Sequence, residues 1–205
     1  MTLWLVRHGE TEWSRSGRHT GTTDVPLTPE GQLQAMAIGL LLAGRRFDTV
    51  RSSPMARARH TAELAGFGDR TEETEALREV DYGDFEGLTT QEILQTHPRW
   101  ELFRDGCPSG ESPGQVSARM DRMRDEIRAS NGNVLLFGHG HCFRALAVRY
   151  LGSSIRAASQ MRLDAGSVSI LSNERDGPTL VLWNRRVPTR AVLVAETATR
   201  LGDVP

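Results

Sequence analysis

Two short apolar runs each lead into a histidine beside glycine, and no other feature of the chain restricts its fold as much. Leu3-Trp4-Leu5-Val6 runs into Arg7-His8-Gly9, and Val134-Leu135-Leu136-Phe137 runs into Gly138-His139-Gly140-His141. Runs of this kind read as buried strands, here Thr2 to Val6 and Asn133 to Phe137. The second is followed by a helical pattern reaching about Leu151, so strand, turn and helix succeed one another. Open α/β sheets bind ligands beyond the carboxyl ends of their strands, which is where both histidines fall. The adjoining glycines let the backbone turn sharply and bring its N–H groups close to a ligand.

The remaining segments alternate in the same way. Thr28-Pro29-Glu30 offers an N-cap, a proline at the first helical position and an early acid. Leu33, Met36, Ala37, Leu40 and Leu41 then define the expected apolar face, and Gly44 ends the helix. Thr49 to Ser53 reads as a short strand, with Ser53-Pro54 as cap and first-turn proline of a helix reaching about Ala65. Thr89 with Glu92, and Ser112 with Gln115, have capping-box spacing. The second box precedes Val116, Met120, Met123 and Ile127 at helical spacing, which marks them as core. Ser167 to Ser172 and Leu180 to Trp183 read as two late strands at a sheet edge, and the pattern is indistinct from Pro188 onward. The expected architecture is one α/β domain over residues 1–205, with a central, mostly parallel sheet covered by helices.

Composition narrows the chemistry. All 25 basic residues are arginine and none is lysine, against 26 acids, for a formal charge of -1. Near-neutral charge offers no basic excess for nucleic acid or an anionic membrane surface. Without lysine there can be no Schiff base and no Walker-type phosphate loop, so anions must be held by guanidinium groups, which grip phosphate oxygens with two prongs. Two cysteines, Cys107 and Cys142, are too few for a disulfide framework. The N-terminal apolar run Leu3 to Val6 is far shorter than a signal h-region, and no run approaches the length of a membrane span, which makes the cytoplasm the expected location.

The run from Leu5 through Arg7-His8-Gly9-Glu10-Thr11-Glu12 to Trp13 resembles the histidine phosphatase superfamily, also called phosphoglycerate mutase-like. The likeness continues in family order through His19-Thr20-Gly21, Leu27 to Gly31, Ser53 to Ala62, Leu77 to Gly87, Gly110-Glu111-Ser112 and His139-Gly140-His141, spanning residues 3–172. It implies a three-layer α/β/α fold and hydrolysis of phosphate monoesters through a phosphohistidine on His8, with neither metal nor other cofactor. Arg7, Arg57 and His139 would hold the phosphoryl group. Glu79 would be the general acid. Thr20, Gly21, Tyr82, Gly140, His141 and Arg144 would contact the rest of a small phosphorylated substrate, Arg144 taking a second phosphate or a sugar hydroxyl. The runs Trp13 to Gly17, Arg104 to Cys107 and Asp164 to Gly166 look most like small acid phosphatases and sedoheptulose-bisphosphatase-like sugar phosphatases, whereas Arg18 and His19 depart from the family pattern. A homodimer is the assembly kept open.

These roles agree with elementary chemistry. A histidine nucleophile needs a neutral nitrogen and a fixed tautomer, and neighbouring guanidinium charges disfavour its imidazolium. Negative charge on three equatorial oxygens needs several donors around it. A leaving alkoxide needs a proton, for which Glu79 and Asp81 are both candidates. Arg59 reads as a solvated helix residue, and His60 and His97 as structural or exposed.

Other readings are weaker. His139, His141 and His8 with a carboxylate could hold a metal, but a His-x-His pair without nearby aspartates is poor evidence for one. A cysteine phosphatase cradle fails by one residue, since Arg149 follows Cys142 at one position too many. A phosphoglycerate mutase is usually longer. A catalytically silent phosphate-binding or regulatory module would be expected to lack His8 or Glu79, and both are present.

Overall fold

The computed structural model describes residues 1–130 and 132–189. Its elements in chain order are β1 (Thr2–Arg7), α1 (Glu12–Ser16), α2 (Pro29–Leu42), β2 (Thr49–Ser52), α3 (Ala56–Leu64), β3 (Glu72–Glu73), α4 (Thr90–Thr96), α5 (Leu102–Asp105), α6 (Pro113–Ala129), β4 (Asn133–Gly138), α7 (Gly140–Tyr150), β5 (Ser167–Glu174) and β6 (Gly177–Arg186). They form a mixed α/β fold around a six-stranded sheet of order β3-β2-β4-β1-β5-β6. The first four strands in that order run parallel, and β5 and β6 are antiparallel.

Side chains alternate across the strands. Leu3, Leu5, Val134 and Leu136 face a cluster with Val116, Met120, Met123 and Ile127 of α6 and Phe143 and Leu146 of α7. Trp4, Val6, Leu135 and Phe137 face Ile38 and Leu42 of α2 and Ala62 of α3. The sheet is thus buried on both faces, as parallel strands require. Register carries the functional consequence. Arg7 pairs with Gly138, His8 N–H continues the ladder to the Gly138 carbonyl, and Ser53 N–H donates to the Phe137 carbonyl. Residues 8, 53 and 139 therefore leave three neighbouring strands at the same edge.

Local capping follows the sequence for α4 and α6, whose Thr89/Glu92 and Ser112/Gln115 boxes both form. The buried side of α6 is Val116, Met120, Met123 and Ile127, as its spacing predicts. Two expectations need correction. The buried stripe of α2 is Gly31, Gln34, Ala35, Ala37, Ile38 and Leu42, whereas Leu40 is 49% exposed. That helix is apolar nearly all round, so packing against α3, not periodicity, chooses its face. Helix α3 begins at Ala56, later than Ser53-Pro54 implied, and Met55 at its N-cap supplies no side-chain bond. Its opening N–H, from Ala56, instead donates to the Asp24 carboxylate, which arrives from a distant loop. The late strands extend to Gly177 and Arg186, and the tail beyond residue 189 lies outside the described residues. Among the described residues no helix is long and apolar enough to cross a membrane.

Candidate active site

A cavity of ≈ 220 Å³ opens at this sheet edge. Of the expected residues, Arg7, His8, Thr20, Glu79, Tyr82, Gly140, His141 and Arg144 line it. Arg57, His139 and Gly21 do not line it. Ser14, Gly17, Thr90 and Leu163 also border it, as do the two family departures, Arg18 and His19. Ser14 and Gly17 belong to the Trp13 to Gly17 run, whereas Thr90 and Leu163 had no local sequence signal, because separate loops bring them to the site.

His8 is 4% exposed, and its Nδ1 lies 2.7 Å from the Gly9 carbonyl. A carbonyl only accepts, so Nδ1 carries the proton and the lone pair resides on Nε2. Burial, and after it the charges of Arg57 and Arg7, hold the His8 pKa well below the ordinary imidazole value. The sequence pointed to the arginines, but desolvation is the larger cause. The Gly9 backbone that fixes this tautomer is itself pressed against α2: a Cβ there would lie 2.2 Å from the Gly31 carbonyl oxygen. Gly9 N–H donates to Thr61 of α3, tying the turn to the next helix.

His139 is fully buried, with its ring centre 5.2 Å from that of His8. Its Nδ1 takes a 3.2 Å bond from Arg57 Nε, and its Nε2 lies 2.7 Å from Ser53 Oγ. Guanidinium cannot accept, so His139 is protonated on Nε2 and donates to the serine. Arg57 Nη1 donates to the Thr23 carbonyl and Nη2 to those of Thr20 and Gly21. The Glu86 carboxylate in turn accepts from the N–H groups of Gly21 and Thr23, holding that loop from its other side. The expected clamp is therefore of two kinds. Arg7 faces the cavity, whereas Arg57 and His139 form a bonded rank beside His8.

Arg7 Nη1 donates to the Leu163 carbonyl, but its buried Nε has no hydrogen-bond partner among the described residues. An orphaned buried donor is costly, and a phosphoryl oxygen is the type of acceptor that would satisfy it. A Cβ on Gly140, the first residue of α7, would sit 3.2 Å from the Arg7 guanidinium carbon, so a larger residue there would crowd that arginine.

Glu79 reaches the same cavity from the loop after β3. Oε1 accepts from the backbone N–H of Cys142 at 2.7 Å and of Val80 at 3.0 Å, and Oε2 from His141 at 3.0 Å. The carboxyl thus caps α7, whose own N-cap residue, His139, makes no side-chain cap. Asp81 does not line the cavity, and its Oδ1 accepts from Gly83 N–H. Tyr82 Oη lies 2.6 Å from His141 Nδ1, and burial pushes the tyrosine pKa up and the histidine pKa down. Beside them, burial brings the His19 imidazole down to about 4. Arg59 is exposed beside Glu73, and His97 is exposed, as expected. Among the described residues no cluster of three or more His, Cys, Asp or Glu is arranged to hold a metal ion.

Residues 3–186 match the histidine phosphatase superfamily (branch 1). This chain belongs to that superfamily. It is 41% identical to an acid phosphatase of Mycobacterium tuberculosis over 176 residues, covering 84% of this chain and 86% of that protein. It is 34% identical to sedoheptulose 1,7-bisphosphatase of Saccharomyces cerevisiae, covering 74% of this chain and 68% of the yeast protein. The solved structure of an open reading frame product from Mycobacterium tuberculosis superposes with a TM-score of 0.87 at 38% identity, covering 91% of this chain and 98% of that one. Parallel pairing of β1 with β4 sets His8 and His139 of this chain side by side.

Proposed function

We propose that this histidine phosphatase hydrolyses phosphate monoesters through a phosphohistidine on His8. The observation that carries the reading is the His8 tautomer: Nδ1–H is committed to the Gly9 carbonyl, and Nε2 is left as a nucleophile in a cavity that also holds Arg7 and Glu79. Arg7 takes phosphoryl oxygens directly. Arg57 adds charge and neutral His139 an N–H donor, and each contacts the ligand by exchanging a protein partner for a phosphoryl oxygen. Nε2 attacks phosphorus, the P–O bond to the leaving group breaks, and Glu79 delivers a proton to the departing alkoxide. Glu79 then takes a proton from the water that cleaves the phosphoenzyme.

The substrate belongs to the acid-phosphatase or sugar-phosphate class, and Arg144 is the residue that selects it. Its Nε donates to the Ala158 carbonyl, its guanidinium lies 5.2 Å over the Phe103 ring, and it has no carboxylate partner among the described residues. A second anionic group or a sugar hydroxyl would meet its outer nitrogens.

The test is p-nitrophenyl phosphate hydrolysis with and without EDTA, beside His8→Ala and Glu79→Gln, with phosphoenzyme trapped without acid. Label on residue 8 in the wild type supports the proposal. EDTA inactivation, label elsewhere, or binding without turnover overturns it. Conversion of 3-phosphoglycerate to 2-phosphoglycerate as the dominant activity would make the chain a mutase.

A further inference from the structure

Glu79 sits on a loop without regular structure, yet general acid catalysis tolerates little error in position. Arg119, in the middle of α6, lies outside the cavity. Its Nη1 donates to the carbonyls of Ala76 at 2.9 Å and Arg78 at 2.8 Å. Its Nε and Nη2 fork onto Glu111 at 3.0 and 2.8 Å, a largely buried pair with 14% and 20% of the side chains exposed. Glu111 then closes the other side. Its carboxylate accepts from Asp81 N–H at 3.1 Å, and its own N–H donates to the Asp81 carbonyl at 2.9 Å.

The backbone groups of residues 76, 78 and 81 are thus held by one ion pair, on both sides of Glu79. The approach is tight: a Cβ on Gly110 would lie 2.4 Å from the Asp81 carbonyl oxygen, and one on Gly83, where φ is +49°, would lie 2.1 Å from that of Pro108. We infer that Arg119 and Glu111 are positioning residues which hold the Glu79 carboxyl at the α7 N-terminus and in line with the leaving group. A forked pair suits this task because planar bidentate bonding fixes direction as well as distance. Lysine could keep the charge but not the four donated bonds.

The inference rests on Glu79 acting as the general acid, and leaving-group dependence tests both. An alkyl phosphate needs a proton on its leaving oxygen far more than p-nitrophenyl phosphate does. Glu79→Gln should therefore lose much more kcat/KM, which reports the step that expels the leaving group and not the later hydrolysis, on the alkyl ester, and this control establishes the acid role first. Arg119→Met and Glu111→Gln should follow the same pattern, with kcat/KM on the alkyl ester falling about 10- to 100-fold and p-nitrophenyl phosphate affected several-fold less. KM and inhibition by inorganic phosphate should stay near wild type. Each should add little to Glu79→Gln in the double variant, because the group being positioned is already gone. Should Arg119→Met not fold, Arg119→Lys carries the same expectation of leaving-group-selective loss. Equal losses on both esters, or losses that multiply with Glu79→Gln, overturn the inference while leaving hydrolysis through His8 intact. An inert wild type, or Glu79→Gln without leaving-group selectivity, fails the underlying reading instead.

Discussion

His8 and His139 are both buried neutral histidines, but opposite nitrogens carry their protons because their neighbours differ in kind. A carbonyl makes Nδ1 of His8 the donor, and a guanidinium makes Nδ1 of His139 the acceptor. Since attack needs neutral His8, and its pKa is held well below 6.5, chiefly by burial and then by Arg57 and Arg7, activity should persist as pH falls through 6.5. Replacing Arg7 by Gln removes one of those charges. The imidazole pKa of His8 should then rise, moving the acid limb of kcat/KM upward, and NMR titration of the His8 ring would measure it. His8→Ala should abolish turnover and phosphoenzyme while retaining phosphate binding, as read by calorimetry. At this scale the sequence was most legible. Arg7-His8-Gly9 and His139-Gly140-His141 marked the two histidines that the fold brings together, but nothing local distinguished an arginine that lines the cavity, Arg7, from one bonded to carbonyls beside it, Arg57.

Helix α7 shows how an element and the proposed general acid share one contact. Glu79 caps its first N–H groups from another segment, so the carboxylate has a structural role beside the chemical one proposed for it. Removing such a cap costs about 1 kcal/mol, in a range of roughly 0.5–2. Glu79→Ala should therefore lower Tm by a few degrees as well as suppress turnover, about 2–4 °C per kcal/mol for a chain of this size. His8→Ala should show the second effect without loss of the cap, and calorimetry beside kinetics would separate the two. Helices α4 and α6 were readable because their caps are local in sequence. Helix α3 was misread at its start for the converse reason, since the Asp24 cap comes from a loop thirty-two positions away. Helix α2 was misread in its buried face because an apolar surface on every side gives periodicity nothing to select.

Across the whole molecule, burial of imidazoles makes stability depend on acid. His8, His139 and His141 are held well below 6.5, and His19 is near 4. The unfolded chain takes up these protons near 6.5 while the folded one resists, so their contribution is complete above 6.5 and is lost as pH falls toward each folded value. Each such proton should cost about 1.4 kcal/mol per pH unit within its window, and denaturant midpoints measured between pH 7 and 4 should fall accordingly. The central strand sets the other limit. Leu5 is 1% exposed in β1, between the paired strands β4 and β5, and Leu5→Ala should cost about 2–5 kcal/mol. Urea unfolding would show the cost, together with loss of the edge that carries His8.

Taken alone, the order of residues determined that strands and helices alternate, that two glycine-flanked histidines leave two of those strands, and that arginine must bind any anion. These are properties of neighbours along the chain, set by period, backbone freedom and side-chain chemistry. Parallel register of β1 with β4 decided that the histidines meet, and long-range closure decided the rest: Asp24 on α3, Glu86 on the loop that holds Arg57, Glu79 on α7, and Arg119 with Glu111 around Glu79. Hydrogen bonds and desolvation depend on distance in space, which spacing in sequence does not encode, so these contacts existed only once the sheet had brought its loops to one edge.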